Sequence, residues 1–229
     1  MAFRTKTAII FLVTRTLVCA PVEHKHLRHT GPGTLTVTDE GVTFTETGKH
    51  QEHSRVWKYE QIQQLELTEN TLRVLTYEDS RRQLGRDREY LLIDLPKDFA
   101  KSTYPMWKDK LDQRFIAAIA DPDVTTLAEF PAKLTALTKG VEGTLLFGED
   151  RIVFRAAKPG DSRTWRFTDI DNISSAGPFD FSVVTLEHHG AWHAGTRDFR
   201  FQLQRPMEEA RFNELWRRVV ARASAGAAQ

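Results

Sequence analysis

Four arginines surround one glycine in Arg81-Arg82-Gln83-Leu84-Gly85-Arg86-Asp87-Arg88. Guanidinium forks hold phosphate or sulfate through paired, charge-assisted hydrogen bonds. Arg81, Arg82, Arg86 and Arg88 are therefore the candidate anion site. The competing reading is a solvated hairpin in which these arginines pair with Glu78, Asp79 and Glu89. Histidines gather as His24-x-His26-x-x-His29 and His188-His189-x-x-x-His193. Alternating histidines on a strand can present two imidazoles to one metal. No carboxylate or cysteine stands at a spacing that completes such a site, so exposed loop histidines are expected, with no metal and no cofactor. The chain carries no glycine-rich phosphate loop, nucleophile elbow or His-Glu-x-x-His helix. Its carboxylates fall in turns and on exposed strand faces. The expectation is a protein that is not an enzyme.

Composition narrows the partners. The 229 residues carry 32 Lys and Arg against 31 Asp and Glu, a net charge of +1. That balance argues against strong, whole-surface attraction to nucleic acid or anionic lipid, and no nucleic-acid partner is expected. The single Cys19 forms no internal disulfide and leaves the redox compartment open. At the start, Arg4 and Lys6 precede the apolar run Thr7–Val13, and no acidic residue appears before Glu23. A basic head, a short apolar run and Val18-Cys19-Ala20 have the form of an export signal over 1–20. Arg15 within the apolar region and Pro21 after the cut speak against it, and a first β-strand is the alternative. Localisation follows the choice: periplasmic or secreted with a signal, cytoplasmic without one.

The elements that position these residues occur twice. Ser54-Arg55-Val56-Trp57-Lys58-Tyr59-Glu60-Gln61-Ile62 is matched 108 residues later by Ser162-Arg163-Thr164-Trp165-Arg166-Phe167-Thr168-Asp169-Ile170. A fixed period of this kind marks an internal duplication. Gly33-Thr34-Leu35 leads to Phe44 and Gly143-Thr144-Leu145 to Phe154, 11 positions each time. Leu72–Glu78 matches Phe181–Glu187, and Arg88-Glu89-Tyr90 matches Arg197-Asp198-Phe199. Arg55 and Glu78 recur as Arg163 and Glu187, which predicts one cross-strand ion pair per copy.

Short alternating runs predict antiparallel strands. Asp39-Glu40-Gly41 and Gly148-Glu149-Asp150 mark first-hairpin turns, and Asn70 marks a later corner. The period then changes to helical. Met106, Trp107, Leu111, Phe115 and Ile119 predict a helix from about 102 to 120, capped by Ser102 or Thr103 with Pro105 in its first turn. A second helix is predicted from Met207 to about 223, with Phe212, Leu215, Trp216, Val219 and Val220 inward. The boundaries read as a candidate signal segment 1–20, a first domain 21–121, a linker 122–131, a second domain 132–223 and a frayed tail 224–229.

This order resembles the pleckstrin-homology-like superfold, and within it the GRAM type. The residues that carry the resemblance are Gly33, Leu35, Phe44, Trp57, Tyr59 and Ile62, with Gly143, Leu145, Phe154, Trp165, Phe167 and Ile170. The chain is also similar to uncharacterised bacterial two-repeat proteins that carry a signal peptide. The resemblance implies an α+β, mainly β chain of two PH/GRAM-like domains, each a bent antiparallel sheet capped by one C-terminal helix. It implies a non-catalytic binding or scaffold protein that engages a protein or peptide partner. The alternative function is binding of an anion or lipid headgroup at a membrane surface through the Arg81–Arg88 loop. Phosphoinositide binders of the superfold place basic residues in the first hairpin, where both copies here have acidic turns, so that alternative departs from the family pattern.

Trp57 and Trp165 occupy equivalent places on alternating strands and are expected to anchor the core of each copy. Replacing either with Ala is predicted to cost about 3–5 kcal/mol in chemical denaturation. Near-wild-type stability of Trp57→Ala would identify this side chain as a surface ligand.

Overall fold

The computed structural model describes residues 18–25, 30–47, 51–80, 85–111, 114–135, 139–158, 160–187 and 196–226. Seven strands come first: β1 (Val18–Lys25), β2 (Thr30–Val37), β3 (Gly41–Glu46), β4 (Arg55–Lys58), β5 (Ile62–Thr68), β6 (Thr71–Asp79) and β7 (Asp87–Ile93). Helix α1 (Phe99–Lys110) and a four-residue strand, β8 (Phe115–Ala118), follow. The second run comprises β9 (Ala128–Leu134), β10 (Val141–Phe147), β11 (Arg151–Ala156), β12 (Arg163–Arg166), β13 (Ile170–Gly177), β14 (Asp180–Thr185) and β15 (Arg197–Leu203). It closes on α2 (Glu209–Gly226). Short 3-10 turns at Tyr59–Gln61 and Phe167–Asp169 link β4 to β5 and β12 to β13.

The strands lie in one sheet in the order β13-β14-β15-β9-β10-β11-β12-β8-β5-β6-β7-β1-β2-β3-β4. The expected pair of separate sheets, each forming its own capped domain, is thereby corrected. Among the described residues the chain is mainly β with two helices, and 15 strands form one hydrogen-bonded sheet. The halves keep the same internal strand order, and β8 joins them. It runs parallel to β5, with Leu65 opposite Phe115 and Thr68 opposite Ala118. On its other side Ala117 pairs with Thr164 of β12.

The same strand corrects the expected length of the first helix. All four residues of β8 are buried. A short apolar run buried on both faces looks alike as helix or strand, so periodicity does not separate them. The helix stops at Lys110, and Leu111 is extended, its N–H donating to Trp107 O at 2.9 Å. The Arg166 guanidinium of the second half donates to the carbonyls of Lys108 and Leu111, satisfying acceptors that a helix end leaves open. Asp98, not Ser102 or Thr103, stands at the N-cap, and Pro105 lies inside the helix. The expected linker is likewise shorter, because β9 already begins at Ala128.

Each half has its own apolar core, with Trp57 and Trp165 both 2% exposed. Trp57 packs on Tyr90 and Trp165 on Phe199, with ring centroids 4.9 Å apart in each case. The repeated Gly-to-Phe spacing has a steric cause. A Cβ on Gly33 would lie 2.4 Å from the Phe44 ring, and one on Gly143 would lie 2.7 Å from the Phe154 ring. In the first half the Trp107 indole donates to Tyr59 Oη at 3.0 Å, and that hydroxyl donates to Thr38 O at 2.8 Å. In α2, Leu215 and Val219 are buried, whereas Trp216 and Val220 are exposed. The inward stripe is therefore narrower than expected. At the start of β1, Val18, Cys19 and Ala20 pair with Val37, Thr36 and Leu35 of β2. Cleavage after Ala20 would remove these three residues from β1.

The single joint makes a prediction about cooperativity. Proline at position 117 removes a main-chain donor from the strand that ties the halves together. Ala117→Pro is expected to split equilibrium urea unfolding into two phases, followed by circular dichroism and tryptophan fluorescence. One unchanged transition would mean that side-chain contacts alone couple the halves.

Candidate binding groove at the free sheet edge

Among the described strands β4 ends the sheet, and its main chain sets up the site. Tyr59 N–H donates to Glu40 O at 3.3 Å, and at the equivalent place Phe167 N–H donates to Asp150 O at 2.8 Å. Alternation along an antiparallel strand then turns the main-chain groups of Val56 and Thr164 away from the hairpin partner. In the second half that side is occupied. Thr164 pairs with Ala117, its Oγ1 donates to Ile119 O at 2.8 Å, and it accepts Asp121 N–H at 2.9 Å. In the first half no described strand lies beyond β4, and Val56 is 69% exposed. Lys58 N–H, the next outward donor, is taken by Gln61 Oε1 at 3.0 Å.

Beside this edge lies an open cavity of about 330 Å³, lined by Trp57, Glu60, Gln61, Thr76, Tyr77 and Glu78. Trp57 is its buried apolar floor, and its Nε1 makes no hydrogen bond. Tyr77 stands 60% exposed, and Glu60 and Glu78, paired with Lys58 and Arg88, complete the rim. The duplicated positions Trp165, Asp169, Thr185, Leu186 and Glu187 line a cavity of only about 10 Å³, whose wall includes Phe115 and Ile116 of β8. The same groove thus exists twice, closed by a strand in one half and open in the other.

The repeated charges are not arranged alike. Arg163 Nη1 lies 3.3 Å from Glu187 Oε2, and its Nη2 lies 3.2 Å from Glu66 Oε1 on β5. Arg197 Nη1 shares Glu187 Oε2 at 3.3 Å. Both guanidiniums face the Phe199 ring, 5.4 Å and 4.5 Å from its centre. Burial, reinforced by the like charge of Arg163, lowers the pKa of Arg197. In the first half Arg55 Nη1 donates to the carbonyls of Glu52 and Ser54, both at 2.7 Å. Glu78 is met instead by Arg88 at 3.3 Å and by the Tyr90 hydroxyl at 3.2 Å. The equivalent pair in both halves is therefore Glu78–Arg88 and Glu187–Arg197, and Arg163–Glu187 is an additional bridge.

Of the candidate anion loop, Arg81 and Arg82 lie outside the described residues. Arg88 is engaged by Glu78 and lies 4.9 Å from the Tyr90 ring centre, and the Arg86 carbonyl accepts Ser80 N–H at 2.7 Å. Among the histidines, His24 is buried edge-on to Phe44 at 5.3 Å. His26, His29, His188, His189 and His193 lie outside the described residues. No group of three or more His, Cys, Asp or Glu is placed to hold a metal among the described residues.

Two features escaped sequence reasoning. One is the groove itself, whose only signal was an apolar Val56 where the second copy carries Thr164. The other is a buried cluster at the joint. Asp121 accepts the Tyr104 hydroxyl from α1 at 2.9 Å and pairs with Arg151 of β11. Burial, with the Asp121 charge added, pushes the Tyr104 pKa well above the ordinary phenol.

No protein-family model and no curated protein matches the chain. Among solved structures it aligns with the C-terminal domain of an unknown protein from Leishmania infantum. That match has 15% identity and a TM-score of 0.32, covering 44% of this chain and 89% of the other. The Spt16D Pob3N heterodimer aligns at 11% identity and a TM-score of 0.33, over 73% of this chain and 81% of the other. Likeness at this level carries no functional inference.

The charge asymmetry is measurable. Arg163→Met removes the cation shared by Glu187 and Glu66, each of which keeps one other arginine, Arg197 and Arg73, and is expected to cost about 1.5–3 kcal/mol, the range for hydrogen bonds to charged groups. Arg55→Met removes a donor to one exposed and one part-buried carbonyl and a contact with the Tyr90 hydroxyl, and is expected to cost about 1.5 kcal/mol or less. Equal losses in urea titrations would show that the Glu66–Arg163–Glu187 bridge adds nothing.

Proposed function

We propose that the chain is a non-catalytic binding protein that engages a protein or peptide partner along the free edge of β4. The supporting observation is the open cavity against that edge, with Val56 and Tyr77 exposed beside a buried Trp57. A sheet edge offers main-chain hydrogen bonds to any extended polypeptide, and a flanking pocket selects among side chains. Apolar groups beside unpaired strand edges are a liability unless covered. Kinship with the pleckstrin-homology-like superfold and its GRAM type belongs to the same proposal. It rests on the duplicated Gly…Phe hairpins and the Trp-aromatic-Ile strands.

The test is site-specific photocrosslinking of the full chain. A benzophenone side chain at Tyr77 is expected to capture a discrete polypeptide from the native host, whereas one at the exposed Lys101 of α1 is not. Equal capture at both positions would overturn the reading. Absence of capture at Tyr77, together with salt-sensitive sedimentation on anionic vesicles, would assign binding to the Arg81–Arg88 loop instead.

A further inference from the structure

The two halves differ in one respect that identifies what the open groove takes. In the second half the groove is filled by β8, which pairs through Ala117 with Thr164 and presents Phe115 and Ile116 to the cavity wall. In the first half the residues at the same positions surround about 330 Å³ of open space, and Val56 stands where Thr164 is paired. We propose that the β4 edge accepts, from another polypeptide, an extended segment with the pattern of β8: two bulky apolar residues followed by two small ones. This rests on the reading of the chain as a peptide-binding protein and specifies the ligand.

Three observations support the assignment. The outward main-chain groups of Val56 are those that Thr164 uses to pair with Ala117, as the matching Tyr59–Glu40 and Phe167–Asp150 bonds show. The side-chain groove keeps its Trp floor and its Thr and Glu walls in both halves, so a similar segment meets similar surfaces. Where the halves differ, the first is the more receptive. Tyr77 replaces Leu186, and among the described residues neither Phe115 nor Ile116 has a counterpart there. Glu60 pairs with Lys58 at 3.8 Å and Glu78 with Arg88 at 3.3 Å, so the rim sets no charge on the incoming segment. Small residues after the apolar pair matter for a geometric reason. Close approach of a strand to β4 leaves little room for side chains on the face over the edge, as Ala117 and Ala118 illustrate at the joint.

The probe is a fluorescein-labelled peptide with the sequence of residues 114–121, Arg-Phe-Ile-Ala-Ala-Ile-Ala-Asp, titrated with the full chain and read by fluorescence anisotropy. Saturable binding at one peptide per chain is expected. Proline at the position of Ala117 in the peptide removes the pairing N–H and is expected to weaken binding at least tenfold. Tyr77→Glu in the protein alters an exposed side chain, and its melting curve should match the wild type while affinity falls at least tenfold. No saturation up to about 1 mM, or equal binding of the proline peptide and to the Tyr77→Glu protein, would overturn the proposal. The two readings fail separately. Crosslinking at Tyr77 without peptide binding would leave the groove as the binding surface and remove the β8-like segment as its ligand. Peptide binding that persists in Tyr77→Glu would mean that the probe displaces β8 at the joint, which also overturns the proposal.

Discussion

The main-chain hydrogen bonding of four residues holds the molecule together as one sheet. Phe115–Ala118 is a strand only because it has neighbours on both sides, parallel β5 and antiparallel β12. Buried N–H and C=O groups are costly to leave unpaired, so neither half can release β8 without exposing an edge of its own. The surrounding contacts reinforce that constraint. Arg114 donates to the carbonyls of Tyr59 and Ile62 at 3.0 and 3.3 Å, and Arg166 holds the end of α1. Asp121 gathers Tyr104, Arg151 and Thr164 from three elements of the chain.

The charges that cross the joint are arranged by burial. Arg163 reaches Glu66 and Glu187 together, with both carboxylates largely out of water. In the other half Arg55 finds carbonyls of its own loop, and Glu78 keeps the partially exposed Arg88. Duplicated residues thus do different work because one copy faces a neighbour and the other faces solvent. An exposed pair contributes little. A buried one makes each partner hard to replace.

Much of each half could be read from the residue pattern. Alternation located the hairpins at Asp39–Gly41 and Gly148–Asp150, and the recurrent tryptophans mark the centres of the cores. Gly33 and Gly143 are explained by aromatic rings lying directly against them. What could not be read was the joint. Phe115, Ile116, Ala117 and Ala118 fit a helical stripe as well as a strand buried on both faces, and only the presence of β5 and β12 decides between them. The same blindness applied to Trp216, which sits one residue past Leu215 and so turns outward. The candidate groove was hidden for a related reason. Whether Val56 is covered depends on what lies beyond the sheet edge, and local sequence does not encode that.

The joint also fixes the symmetry of the duplication. The last strand of one half, β12, meets the first strand of the other, β5, through β8. That is a head-to-tail contact between unlike surfaces, which generates a ring where its rotation closes and an open array where it does not, whereas like-to-like contacts close on themselves. An open array of any number of units has one joint fewer than it has units. Its two terminal surfaces, of opposite kind, therefore persist however far it is extended. In an open arrangement of this kind duplication enlarges the molecule without retiring its ends, and among the described strands those ends are β4 and β13.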